Sequence, residues 1–157
     1  MKSKIASILF ATLALASTSF AADKHDHDHD HEKKVAGPNG GHIVKSVEPH
    51  FEFLVTPERK IKITFVGDDF KAIPAKEQTI TATGGDRSSP TKFTFSPENG
   101  GLISDKPLPA GNENPPIILQ IKITPDAKTV TERFNVNLAD CGECKHKEYA
   151  CTCAHEH

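Results

Sequence analysis

Residues 41–138 repeat with a period of two, and that alternation decides the fold class. Phe51, Phe53 and Val55 share one face of an extended segment, with His50, Glu52 and Leu54 on the other. Ile61, Ile63 and Phe65 alternate with Lys60, Lys62 and Thr64, and Ile80 and Ala82 sit between Thr79, Thr81 and Thr83. Phe93 and Phe95 alternate with Lys92 and Thr94. Ile117, Leu119, Ile121 and Ile123 follow, then Phe134, Val136 and Leu138. Side chains of a strand point alternately to opposite faces, so this pattern predicts half-buried strands.

Turn residues separate the runs: Gly67-Asp68-Asp69, Gly84-Gly85-Asp86, Asn99-Gly100-Gly101 and the stretch from Asn112 to Pro116. Their spacing leaves no room for a helix of three turns. About 100 residues in seven or eight short strands predict an all-β domain, an antiparallel β-sandwich of immunoglobulin-like or cupredoxin-like size, or a small barrel. Each of Phe51, Phe53, Phe65, Phe93, Phe95 and Phe134 stabilises such a core by about 1.5–3 kcal/mol when fully buried. The domain therefore needs neither a metal nor a disulfide to fold.

The flanks differ from this domain. Lys2 and Lys4 precede an apolar run, Ile5 to Ala16, too short to span a bilayer comfortably, and Ser19-Phe20-Ala21 offers small residues where a signal peptidase reads them. Residues 1–21 read as a secretory signal peptide, cut after Ala21 or Ala22. The expected location is periplasmic or secreted, with no membrane insertion after cleavage. Loss of Lys2 and Lys4 takes 19 basic residues to 17 against 21 acids, a net charge of −4 with neutral histidines. That balance carries no basic bias toward nucleic acid.

Residues 22–36 are polar and lack apolar periodicity, as expected of a disordered arm. Four histidines in it, His25, His27, His29 and His31, alternate with aspartates. Imidazole suits zinc, copper and nickel, and a neighbouring carboxylate attracts the cation and can orient the ring. Ligands on a flexible chain are not preorganised, so this arm predicts loose binding of divalent ions. Cleavage after Ala22 would also expose Asp23-Lys24-His25, whose amine, amides and third-position imidazole can wrap copper(II) or nickel(II) in a square plane.

Residues 139–157 hold all four cysteines: Cys141-x2-Cys144-x6-Cys151-x-Cys153, then His155 and His157. Two close pairs joined by a short loop can chelate one ion from both sides, and Gly142 is expected to allow a tight first turn. Four thiolates make a closed tetrahedral zinc site or a soft copper(I) site, with His146, His155 and His157 as supplementary donors. Met1 is the sole methionine, so thioether-held copper is excluded from a mature chain. Zinc is favoured over Cu+ or Cu2+ because it satisfies both clusters without redox complications, and nickel is a further candidate for the arm. A weaker site is His42 with His50 across a hairpin, with Glu52 as third ligand.

Two other readings of the cysteines stay open. They form two disulfides in an oxidising compartment, which would make the chain an envelope interaction sandwich. Alternatively Cys141 and Cys144 form a thiol–disulfide redox pair, although that motif is expected at a helix N-terminus in an α/β fold. Motifs of hydrolases, metalloproteases, nucleotide-binding loops and dinucleotide folds are absent, so no enzyme is expected.

The segment Gly37-Pro38-Asn39-Gly40-Gly41-His42-Ile43-Val44, followed by His50-Phe51-Glu52-Phe53-Leu54-Val55, resembles a small β domain near the N-terminus of some periplasmic adaptor subunits of heavy-metal efflux pumps. In that family a Gly-Gly turn leads into a strand and an H-x-E-[FL] strand comes next. The resemblance covers residues 37–66. It implies an all-β domain in a metal-handling setting and points to a metal efflux or uptake component as partner. The chain lacks the helical hairpin and lipoyl-like parts of an adaptor, and the cysteine tail lies outside the resemblance.

Overall fold

Eight strands carry the chain: β1 (His42–Val44), β2 (His50–Val55), β3 (Ile61–Val66), β4 (Thr79–Gly84), β5 (Thr91–Glu98), β6 (Gly101–Ser104), β7 (Pro116–Lys122) and β8 (Val130–Asn135). This computed structural model describes residues 34–153, all within one unit, Glu32–His157. The expected signal segment, residues 22–33 of the arm with His25, His27, His29 and His31, the Asp23-Lys24-His25 stretch, His155 and His157 lie outside the described residues.

The strands form one antiparallel sheet in the order β1-β2-β3-β6-β5-β4-β7-β8. β5 makes the bend. Its residues 91–94 pair with β4, whereas residues 95–98 pair with β6. The sheet therefore curls into a half-barrel, which brings its two edge strands together. His42 of β1 meets Phe134 of β8 edge-to-face at 5.9 Å, and Phe53 of β2 stacks on Phe134 at 5.0 Å.

The predicted inward set fills the hollow. Phe51, Phe53, Phe65 and Phe93 are buried together with Ile61, Ile63, Ile80, Ile117, Leu119 and Ile121, while Phe95 and Phe134 pack at its margin. The β5–β6 connection is a two-residue hairpin. Asn99 (φ 47°) and Gly100 (φ 80°) both adopt the left-handed region that such a turn requires. Gly101 then lies in a strand rather than in the turn, and a Cβ there would stand 2.4 Å from the carbonyl oxygen of Ile63. Glycine is what lets β6 lie against β3.

One outward position is not outward. Glu52 is fully buried, because the turn at residues 37–41 folds over it. Its Oε1 accepts the N–H groups of Asn39 and Gly41, each at 2.8 Å, and its Oε2 accepts Asn39 Nδ2 at 2.6 Å. The carboxylate substitutes for the partners those turn N–H groups would otherwise lack. Among the described residues no helix is long and apolar enough to cross a membrane.

Candidate metal centre

Beyond β8 the chain leaves the ladder in steps. Val136 N–H donates to Pro115 and Leu138 N–H to Glu113, so both residues remain against the sheet. The next segment closes on itself. Asp140 and Lys147 form an antiparallel bridge, supported by Lys147 Nζ to Asp140 Oδ1 at 2.6 Å. Inside it Cys141 N–H donates to His146 O at 3.0 Å. This loop presents Cys141 and Cys144. A single 3-10 turn, Glu148–Ala150, then reverses the chain and delivers Cys151 and Cys153 to the same place.

Tyr149 in that turn fixes the tail to the domain. Its hydroxyl accepts Val55 N–H at 2.8 Å, and its ring stands edge-on to Phe53 at 5.8 Å. The tail is thereby packed on β2, and Ala150 and Cys151 are buried with it.

The four cysteine sulfurs all lie within 4.8 Å of one another. Cys141 Sγ is 3.4 Å from Cys151 Sγ and 4.0 Å from Cys153 Sγ, and Cys144 Sγ is 3.8 Å from Cys151 Sγ. Four sulfurs each about 2.3 Å from one zinc ion at tetrahedral angles stand about 3.8 Å apart. The observed spacings bracket that edge, so the cluster is close enough to hold a metal ion. No disulfide joins the four cysteines. Cys141 and Cys151 are buried and Cys144 and Cys153 half-buried, so the cluster has an inner and an outer side.

The electrostatics of the sulfurs are uneven. The N–H of His146 is the main influence holding the Cys144 thiol down, at about 7. Burial pushes the Cys151 thiol up, and the hydrogen bond with Cys151 pushes that of Cys153 up. Once one sulfur is ionised, its neighbours keep their protons, because like charges at this distance repel through a poorly solvated space. A cation among the sulfurs removes that obstacle. Cys153 N–H points at Cys151 Sγ at 3.2 Å, a further donor toward sulfur.

The other expected ligands go elsewhere. The register sets His42 opposite Phe53 and His50 opposite Val66, so the two histidines occupy opposite faces of the sheet rather than facing each other. His50 Nδ1 meets Val47 O at 2.8 Å, and the Glu52 carboxylate is taken by the turn. His146 has its ring over Gly40 and lies outside the sulfur cluster, contributing backbone groups instead. Gly142 is also not the turn-former expected, since it has no positive φ and a Cβ there would meet nothing within 4 Å.

Two residues that matter escaped the spacing argument. Tyr149 is the only tyrosine in the chain and sits between the cysteine pairs, which was the available clue. Glu52 stood out only as a weak ligand. Compared with known proteins, the chain matches no family model, no curated protein and no solved structure, so the comparisons lend no support to the resemblance of residues 37–66 to efflux-adaptor domains.

Proposed function

We propose that this is an exported protein that binds a transition-metal ion at Cys141, Cys144, Cys151 and Cys153 and serves to buffer, sequester or deliver it. The observation that carries the reading is the convergence of four sulfurs, none joined by a disulfide and all within 4.8 Å of one another, on a loop packed against the β domain. Zinc is the favoured ion, with copper(I) on the same four sulfurs next. His25, His27, His29 and His31 act as a looser collector for divalent ions, nickel included, and His155 and His157 supplement the tail. The role is binding rather than catalysis. Its protein partner is a metal efflux or uptake component, met in the periplasm or outside the cell.

Cys144 and Cys153 lie on the outer side of the cluster. They are the sulfurs at which an ion would enter and leave.

Native mass spectrometry of untagged protein from the exporting cell, collected without chelator or reductant, tests this directly. The expected spectrum shows a chain lacking the signal segment and carrying zinc or copper through buffer exchange. A bare chain lighter by four hydrogens would replace the metal centre with two disulfides and make the tail a structural clasp.

A further inference from the structure

Glu52 is the only charged side chain among the described residues that is buried, and the metal reading leaves it unused. The Gly37-Pro38-Asn39-Gly40-Gly41 turn is likewise unexplained by a site more than 100 residues away in sequence. The structure joins the two. Glu52 takes the N–H groups of Asn39 and Gly41 and the side-chain amide of Asn39. Asn39 Nδ2 also reaches Thr64 Oγ1 at 3.3 Å on the strand beside β2. The turn closes through Gly37 N–H to Gly41 O and Gly40 N–H to Gly37 O, both 2.9 Å.

The fit around the carboxylate is close. A Cβ on Gly37 would stand 2.4 Å from Glu52 Oε1, and one on Gly41 would stand 2.8 Å from Glu52 Cγ. The turn so held presents Gly40 to the cysteine loop. A Cβ on Gly40 would come within 3.2 Å of His146 Nδ1 and 3.4 Å of its Cε1, so the imidazole rests on the bare glycine. His146 in turn governs the first cysteine pair from both sides. Its carbonyl accepts Cys141 N–H, and its own N–H donates to the Cys144 sulfur.

We propose that Glu52 is a positioning residue for the metal centre: it fixes the 37–41 turn, the turn seats His146, and His146 sets the spacing of Cys141 and Cys144. The inference rests on the metal-binding reading and goes beyond it. It assigns a role to a carboxylate that touches no ligand, and to a turn motif that precedes the cysteines by about 100 residues in sequence. Preorganisation of this kind raises affinity because the sulfurs need not be brought together by the ion itself.

The test compares the full-length wild type with Glu52→Gln, His146→Ala and the double variant. Zn2+ affinity is read by competition with a chromophoric chelator, geometry by the Co2+ thiolate and d–d absorption, and folding by thermal melting without metal. Glu52→Gln keeps a carbonyl oxygen for Asn39 and Gly41 but sets an NH2 against Asn39 Nδ2. His146→Ala leaves Glu52 and the core untouched and removes only the ring seated on Gly40, so it keeps the test decisive if Glu52→Gln melts early. Both single variants should bind Zn2+ about tenfold more weakly and shift the Co2+ bands. The double variant should be little worse than the weaker single one, because both act along one path. Wild-type affinity and an unshifted Co2+ spectrum in His146→Ala would overturn the positioning role while leaving the metal centre standing. A wild type that fails to bind Zn2+ or Co2+ under reductant would instead overturn the metal reading, and this inference with it.

Discussion

The phenol oxygen of Tyr149 lies 2.8 Å from the backbone nitrogen of Val55, joining residues 94 apart in sequence. This bond and the edge-on contact of the same ring with Phe53 attach the cysteine loop to the β domain. Burial pushes the phenol's pKa up, so the hydroxyl stays protonated well above neutral pH.

Tyr149→Phe keeps the ring contact and removes the acceptor, leaving the Val55 N–H without its partner. The expected cost is about 1–3 kcal/mol. Tyr149→Ala also empties the site against Phe53 and should cost about 3–5 kcal/mol. Urea denaturation of the metal-free protein under reductant measures both. In the Ala variant the loop should also become a preferred site of limited proteolysis.

Gly101 and Gly142 should respond oppositely to alanine. A Cβ on Gly101 would overlap the Ile63 carbonyl at 2.4 Å, and strands β3 and β6 would have to move apart. Gly101→Ala should destabilise by about 1–3 kcal/mol, the usual penalty of overpacking. Gly142→Ala meets nothing, and should stay within about 0.5 kcal/mol of wild type with unchanged zinc affinity. Thermal melts of the two variants in parallel decide the point.

His42 gives stability a pH dependence. Its pKa is lowered from 6.5, first by burial and then by Lys34, against an opposing pull from Glu132. The native state therefore binds this proton less readily than the unfolded chain does. The contribution is fully present above about pH 6.5 and is lost as pH falls through the lowered native value. Denaturation midpoints of the metal-free protein between pH 7.5 and 5 should show that decline, and His42→Gln should flatten it.

Much of this was legible in the sequence because alternation reports burial. β2, β3, β4 and β7 fall where hydrophobic and polar residues trade places, and Asn99-Gly100 makes the tight turn its composition announced. β6 was not legible. Gly101, Leu102, Ile103 and Ser104 are all buried, so the strand has no polar face to alternate with, and it starts on a glycine that reads as turn. In the tail, cysteine spacing pointed to the cluster of four sulfurs that the fold assembles, since two close pairs across a short loop need little more than chain reversal to meet. Tyr149 and Glu52 were not legible as supports, because their roles depend on partners in Val55 and the 37–41 turn that only the folded register brings near. The His42–His50 pairing failed for the same reason: the hairpin register is set by Val44 opposite Phe51, which sends the two rings to different faces.

Zinc K-edge X-ray absorption on the full-length protein, loaded with one equivalent of Zn2+ under reductant, tests the central claim most directly. The account predicts a single shell of four sulfurs at about 2.3 Å, reduced in every Cys→Ser variant of the tail. A shell of nitrogen and oxygen at about 2.0–2.2 Å, with no sulfur, would place the ion on histidines and contradict the Cys141–Cys144–Cys151–Cys153 centre.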